Sequence, residues 1–146
     1  MDNELGRWIS ILYRYGQSYL SKKMEPYNIG RGQLIILLYL SRNDGLSQQD
    51  LTDYIKIDKG CIAKSIKSLE EEGYISRSTD PDDRRAVKVF LTQKARDVLP
   101  VVRDTIKSWE SVLVSGLTDD ERQLAEQILY KMAKNAYNHK DKDIRQ

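Results

Sequence analysis

A helical pattern that passes directly into a strand pattern, within residues 57–92, constrains the fold more than any other feature of the chain. Ile62, Ile66 and Leu69 are spaced so that they lie on one face of a helix. Asp58 precedes them and can accept hydrogen bonds from the exposed N–H groups of the first turn. The sequence therefore predicts a short amphipathic helix that begins just after Asp58.

The opposite face of this helix is small or basic over its first three turns. At about 100° per residue, Lys64 points away from the apolar face, with Gly60 and Lys67 beside it. Small residues permit close approach to a polyanion, and lysine supplies the charge. The alternative is an ordinary solvated face, since Glu70–Glu72 would repel phosphate at the far end. The predicted DNA contacts of the helix are Lys59, Gly60, Cys61, Lys64, Ser65, Lys67 and Ser68.

A strand pattern follows Gly73, which can take the left-handed conformation that ends a helix. Ile75 begins the first strand, and apolar residues alternate with other residues over 86–91. The intervening segment, residues 80–85, has the Pro and Asp of a turn and then two arginines. Arginine at the tip of a narrow ribbon suits a minor groove, where the potential is most negative. We therefore predict a two-stranded wing whose DNA-binding residues are Arg77, Asp83, Arg84 and Arg85, with Asp83 orienting an arginine.

The residues before this amphipathic helix predict the rest of a helix-turn-helix, in which the amphipathic helix would be the recognition helix. Ser47 and Asp50 have capping-box spacing and begin a helix. The inner face of that helix is predicted to consist of Leu51, Tyr54 and Ile55. About three residues then lead into the recognition helix, as in a helix-turn-helix. A helix over residues 31–42 is apolar almost all round, which predicts a central position.

Long apolar stripes flank the predicted helix-turn-helix and wing, which together form a small lobe, on both sides. A near-heptad stripe in the first helix consists of Leu5, Trp8, Leu12, Tyr15 and Tyr19, and a second stripe extends from Ala95 to Leu113. Pro100 lies within the second stripe and predicts a kink near Arg96 to Leu99. The first stripe packs either on its own domain or on a helix of a second subunit. Because the small lobe cannot cover both stripes, we predict a homodimer with contacts from Leu5, Trp8, Leu12, Val102, Ile106, Trp109 and Leu113.

Composition excludes several other classes of protein. The net charge is only +2, although residues 56–96 carry ten Lys or Arg against seven Asp or Glu. One cysteine and one histidine give no metal site, and the chain has neither a phosphate loop nor a catalytic triad pattern. We therefore expect no enzymatic activity and no cofactor. The absence of a signal peptide and of any apolar run longer than Leu34–Leu40 predicts a cytoplasmic protein without a membrane segment.

Residues 59–77 and 80–86 resemble the MarR family of bacterial and archaeal regulators. Asp83, Arg85, Leu91 and Thr92 match the wing signature of that family. The resemblance covers nearly the whole chain and implies one MarR-like domain over residues 1–146. This domain would be mainly α with a small β-wing. Its winged helix-turn-helix lobe would span about 30–92, with dimerisation helices at about 3–23 and 93–138.

The resemblance also implies a function. The chain would be a sequence-specific, ligand-responsive transcriptional repressor that binds a near-palindromic operator in double-stranded DNA as a homodimer. Gly60 and Cys61 depart from the Ser and Thr that are more common in the family, so the family's base contacts do not transfer there. A small aromatic or phenolic effector would occupy a cleft near the dimer helices. The candidate residues are Trp8, Tyr13, Arg14, Tyr15 and Tyr39, although aromatic residues at helical spacing more often belong to a core.

Two other functions compete with this interpretation. Cys61 lies in the first turn of the recognition helix, where exposed N–H groups and nearby lysines favour a reactive thiol. Its oxidation would break DNA contact in a thiol-based redox sensor, but the family's peroxide sensors carry their cysteine in the first helix, which has none here. A winged helix can also serve only as a protein-interaction module. The wing arginines and the lysine face favour DNA instead.

Overall fold

The computed structural model describes residues 4–79, 81–83 and 87–143. Within them, the helices and strands follow the order that the sequence predicts, with one additional strand. In chain order the elements are α1 (Glu4–Met24), a 3-10 turn (Glu25–Tyr27), α2 (Gln33–Arg42), β1 (Leu46–Ser47), α3 (Gln48–Ile55), α4 (Lys59–Glu71), β2 (Ile75–Thr79), β3 (Val87–Leu91), α5 (Gln93–Leu113) and α6 (Asp119–Asp143). The prediction of a mainly α protein with a small β-wing is confirmed.

The chain divides into two compact units, one ending at Trp109 and the other beginning at Glu110. The first unit holds the hydrophobic core, to which α2, α3, α4, β3 and α5 all contribute. The second unit consists of the end of α5 and the helix α6, which begins with a capping box formed by Thr118 and Glu121. No helix in the described part of the chain has the length and apolar character needed to cross a bilayer.

The sheet has three antiparallel strands in the order β1-β3-β2, rather than the two that the sequence predicts. In the wing, Arg77 pairs with Val89 and Thr79 with Val87. On the other side of β3, Leu46 of β1 also pairs with Val89. A strand of two residues is too short to show an alternating pattern, so β1 left no periodic signal in the sequence.

The predicted core face of α4 is correct, because Ile62, Ile66 and Leu69 are all buried. The predicted inner face of α3 is only partly correct. Leu51 is fully buried, whereas Tyr54 is 55% exposed and stacks on Tyr39, with ring centroids 6.4 Å apart. A tyrosine can leave its hydroxyl in water while its ring covers a neighbour, which is why an apolar pattern alone misplaced it.

The seam of α5 is divided between two environments. Its first half, from Ala95 to Val102, is buried in the core of its own chain, and the helix continues through Pro100. Val102 is fully buried in this core, and its contact with a second subunit stays a prediction. Further along, Ile106 is half-buried and Leu113 is exposed.

The stripe of α1 changes in the same way along its length. Near the C-terminal half, Tyr19 packs on Trp109 with ring centroids 5.2 Å apart, and Gly16 is buried against the same indole. Towards the N-terminus, the same face continues as Leu5, Trp8 and Leu12, which are exposed. Their own domain therefore does not cover this part of the stripe. Trp109, in contrast, belongs to the packing of its own chain.

Candidate nucleic-acid interface

The N-terminal end of α4 is held by a side-chain cap. The Asp58 carboxylate accepts a hydrogen bond from the Cys61 N–H at 3.3 Å, as the sequence predicts. This cap satisfies one of the backbone donors that the first helical turn leaves open. It leaves the Cys61 side chain exposed. The Asp58 side chain thus caps the start of the helix through a backbone N–H, while the outward side chains of the first turn remain accessible.

The outward face of α4 has the composition that the sequence predicts. Lys59, Gly60, Cys61, Lys64 and Lys67 are exposed. Neither Lys64 nor Lys67 forms an ion pair with any residue that the structure describes. Since the face directly opposite carries the buried stripe, these two lysines project from the domain as uncompensated positive charges.

The two serines of α4 lie at the edges of this face. Ser65 and Ser68 are both half-buried. Ser65 faces the N-terminus of α2, because its Oγ lies 3.0 Å from the position that a Cβ at Gly32 would take. Ser65 therefore also has a packing role that the sequence did not indicate.

The C-terminal end of α4 forms a Schellman motif. Gly73 has a φ of +80°, and its N–H donates to the Glu70 carbonyl at 3.0 Å. The Tyr74 N–H donates to the Leu69 carbonyl at 2.9 Å. These are the two bonds that define the motif, and glycine adopts its left-handed position without a steric cost. The predicted helix end at Gly73 is therefore correct.

Groups from other elements meet at this same turn. Lys94 of α5 donates to the Glu72 carbonyl and lies over the Tyr74 ring, 4.5 Å from its centroid. The Asn28 amide donates to the Glu72 carboxylate at 3.5 Å. Burial of Tyr74, with the Glu72 charge adding to it, raises the pKa of the phenol. Sequence reasoning missed Lys94 and Asn28, because their contacts to α4 join residues far apart in the chain.

In the wing, Arg77 is engaged by a carboxylate. Its guanidinium donates from Nε and Nη2 to the two oxygens of Glu70, at 2.9 and 3.0 Å. These hydrogen bonds hold the pKa of the Glu70 carboxyl below its usual value and raise that of Arg77. Asp83 is exposed. Arg84 and Arg85 lie outside the described residues.

The candidate effector residues are not brought together as one group. Arg14 and Tyr15, with Ile11 and Ser18, line a concave surface of about 520 Å³ on α1. Tyr13 lies about 160° from Tyr15 around the helix axis, so it belongs to another face. Trp8 belongs to the exposed apolar stripe that it forms with Leu5 and Leu12.

Tyr39 contacts α3 instead, because its hydroxyl donates to the Tyr54 carbonyl at 3.3 Å. Among the residues that the structure describes, no group of three or more His, Cys, Asp or Glu could hold a metal ion.

The chain is similar to known regulators over most of its length. A family model described as the MarR family matches residues 27–86. The uncharacterized HTH-type transcriptional regulator YybA of Bacillus subtilis (strain 168) is 29% identical over 133 residues, which are 91% of this chain and 89% of that protein.

Solved structures match the fold closely. A MarR transcriptional regulator from Methanosarcina mazei Go1 is 42% identical, with 94% of this chain and 99% of that chain covered and a TM-score of 0.83. A MarR family transcriptional regulator from Listeria monocytogenes, complexed with 26mer DNA, is 26% identical, with coverages of 95% and 92% and a TM-score of 0.86. On these similarities, the chain belongs to the MarR family of transcriptional regulators.

Proposed function

We propose that this protein is a sequence-specific DNA-binding repressor that acts as a homodimer on a near-palindromic operator. The observation that carries the proposal is the outward face of α4, where Lys64 and Lys67 project unpaired beside the small residues Gly60 and Cys61. Unpaired cations around a surface that permits close approach fit the floor and edges of a major groove. The DNA complex of the Listeria monocytogenes relative supports this assignment.

In this proposal each part of the lobe has a separate task. The N-terminal half of α4 enters the major groove, and Lys64 is the residue best placed to reach base edges or the adjacent phosphates. The wing follows the sugar-phosphate backbone towards the flanking minor groove, and Arg84 and Arg85, which precede β3 in the sequence, would enter that groove. Arginines at such a position sense groove width and potential more than base identity.

The proposed homodimer accounts for the exposed apolar stripe of α1. Leu5, Trp8 and Leu12 are 61%, 50% and 46% exposed in the isolated chain. An apolar stripe of this length at helical spacing is typical of a surface that another helix covers. Leu113, also predicted at the dimer interface, is exposed too.

Selection of DNA fragments bound by the purified protein, from the genome of its source, tests the proposed function. We expect enrichment of fragments that share a near-palindrome with half-sites about 10 base pairs apart. Retention on random duplex should fall steeply with salt. Recovery of fragments without a common sequence, or retention that does not depend on salt, would contradict the proposal and favour a protein-interaction module.

We also propose that the concave surface at Arg14 and Tyr15 binds a small aromatic or phenolic acid. A guanidinium can hold a carboxylate through paired hydrogen bonds, and the adjacent ring can stack on an aromatic ligand. Arg14 already donates to the Ser10 carbonyl, which holds its stem along α1. The other candidates, Trp8, Tyr13 and Tyr39, are not part of this surface.

Arg14→Ala should raise the acid concentration needed for a half-maximal effect on operator binding by about tenfold, because the charge-assisted hydrogen bonds to the carboxylate are lost. Operator affinity without the acid should stay unchanged. The measurement is titration of the protein–operator complex with a panel of hydroxybenzoic acids. A response of Arg14→Ala that equals the wild-type response would remove this surface as the effector site.

Redox sensing remains a second candidate because Cys61 is exposed at the proposed DNA surface. We expect Cys61→Ser to keep operator binding, since serine is similar in size and fits the same first turn beside Asp58. Operator titrations before and after peroxide treatment, for wild type and Cys61→Ser, check this result. Release of the wild type by peroxide, without release of the variant, would favour the redox function.

A further inference from the structure

The contact between Glu70 and Arg77 joins the two parts of the DNA-binding surface. Both oxygens of the Glu70 carboxylate accept from the fork of Arg77, at 2.9 and 3.0 Å. Bidentate pairs of this kind fix the relative orientation of their partners as well as their distance. Both side chains are partly exposed, at 39% for Glu70 and 37% for Arg77. The contact therefore lies at the surface, where an ion pair adds little to the free energy of folding but can still fix the relative orientation of its two partners.

Each partner is mounted on a rigid element. Glu70 lies in the last turn of α4, just before the Schellman motif. Arg77 lies in the middle of β2, paired with the buried Val89 of β3. Between them the chain makes only the short turn around Gly73. The ion pair closes this turn from outside, so it opposes rotation of the β2–β3 wing about the end of the recognition helix.

We propose that Glu70 and Arg77 act as a clamp that sets the angle between recognition helix and wing, and that Arg77 is a positioning residue rather than a DNA contact. The proposal rests on the proposed DNA-binding function. A bidentate phosphate contact through the Nε and Nη2 edge of Arg77 would have to break both hydrogen bonds to Glu70 and leave that carboxylate close to the DNA backbone. While the pair is intact, its charges cancel, and it offers no net attraction to phosphate.

The other contacts at this end of α4 support the same role. Lys94 from α5 and Asn28 from the segment before α2 both bind Glu72. The first turn of α4 is capped by Asp58, and Ile62 at the end of that turn is buried in the core. The C-terminal turn is thus bonded to α5 and to the segment before α2, and the clamp attaches the wing to that turn.

Reversal of the pair separates positioning from DNA contact. We expect Arg77→Ala and Glu70→Ala each to weaken operator binding by about two- to fivefold, as for loss of an exposed ion pair. The double variant Glu70→Arg/Arg77→Glu should return to within about twofold of wild type, since it rebuilds the pair with unchanged net charge. Fluorescence anisotropy with operator and scrambled duplexes measures these affinities, and thermal unfolding shows whether each variant remains folded.

A direct DNA contact predicts a different pattern. Glu70→Ala would then bind equally or more tightly, and the reversed pair would bind more weakly than Arg77→Ala, because a carboxylate would face phosphate. That pattern, or single variants indistinguishable from wild type, would overturn the clamp. The matched control is reversal of the exposed pair Arg122–Glu126 in α6, which should leave operator affinity unchanged.

Hydrogen exchange in the free protein tests the clamp without DNA. We expect the amides of β2 to exchange faster in both single variants and to regain wild-type protection in the reversed pair. Exchange that is the same in all four proteins would contradict the clamp. If the wild type failed to prefer operator over scrambled duplex, the proposed function would be wrong, and the exchange data would still decide whether the pair holds the wing.

Discussion

Leu12→Asp is expected to convert the homodimer into single chains and to abolish operator binding at concentrations where the wild type binds. Leu12 lies in the exposed part of the α1 stripe, between Trp8 and the segment that packs on Trp109. In the proposed dimer it is covered by a second copy, and an unpaired buried charge costs several kcal/mol. Sedimentation velocity at micromolar concentration, with a parallel operator titration, measures both effects.

Ser10→Asp is the matched control, because it places the same charge on the same helix about 160° away from Leu12. This variant should sediment and bind as the wild type does. Trp109 is less suitable for this test than the sequence suggested. Its indole packs on Gly16 and Tyr19 of its own chain, so its replacement would disturb the fold as well as the assembly. A folded wild-type monomer at micromolar concentration would contradict the dimer.

Lys64→Ala is expected to weaken operator binding by about 1–3 kcal/mol and to relax base preference at one position in each half-site. Lys64 is exposed, lacks an ion-pair partner within the described residues, and lies opposite the buried face of α4. Its ammonium is therefore free to bind DNA without first breaking another contact. Titration against the operator and against duplexes with single base changes measures both the affinity and the preference.

The control for Lys64 is Lys131→Ala, which removes an exposed positive charge from α6. It should cost little at either the operator or a scrambled duplex. An equal loss by Lys64→Ala on operator and scrambled DNA would assign Lys64 to phosphate contact rather than base reading. Unchanged binding by Lys64→Ala would remove this residue from the interface.

The parts of the fold that sequence predicted well are those encoded by local chemistry. Asp58, the apolar positions from Ile62 to Leu69, and Gly73 together define the beginning, the inner face and the end of α4. The capping box of α3 is also local and was identified correctly. Capping and periodicity depend on residues within a few positions of each other, so a sequence reveals them directly.

The parts that sequence did not predict depend on contacts between distant residues. Asp44 is one example, because its carboxylate accepts from the Leu91 N–H at 2.8 Å and from Arg96 at 3.0 Å, linking the end of α2 to β3 and α5. No spacing rule connects residues so far apart in the chain. The Glu70–Arg77 pair spans only seven residues, but it joins a helix to a strand, so neither the helical nor the strand period predicts it.

Residues at the boundary between two environments are the other case in which the sequence pattern is incomplete. Val102 continues an apolar seam that extends beyond the core of its own chain, so the pattern could not show where own-chain packing stops. Ser65 is on the recognition helix yet faces α2. In both cases the helical period gives the direction of a side chain but not the identity of its neighbour.

Sedimentation of the protein with duplexes that carry one or both half-sites of the selected operator tests the proposed function most directly. The homodimer predicts two chains on the two-site duplex, and deletion of one half-site should weaken binding by about a hundredfold or more, because the second contact is then lost from a linked pair. One chain per duplex, with an affinity that does not depend on the second half-site, would contradict the proposed homodimeric, operator-specific regulator.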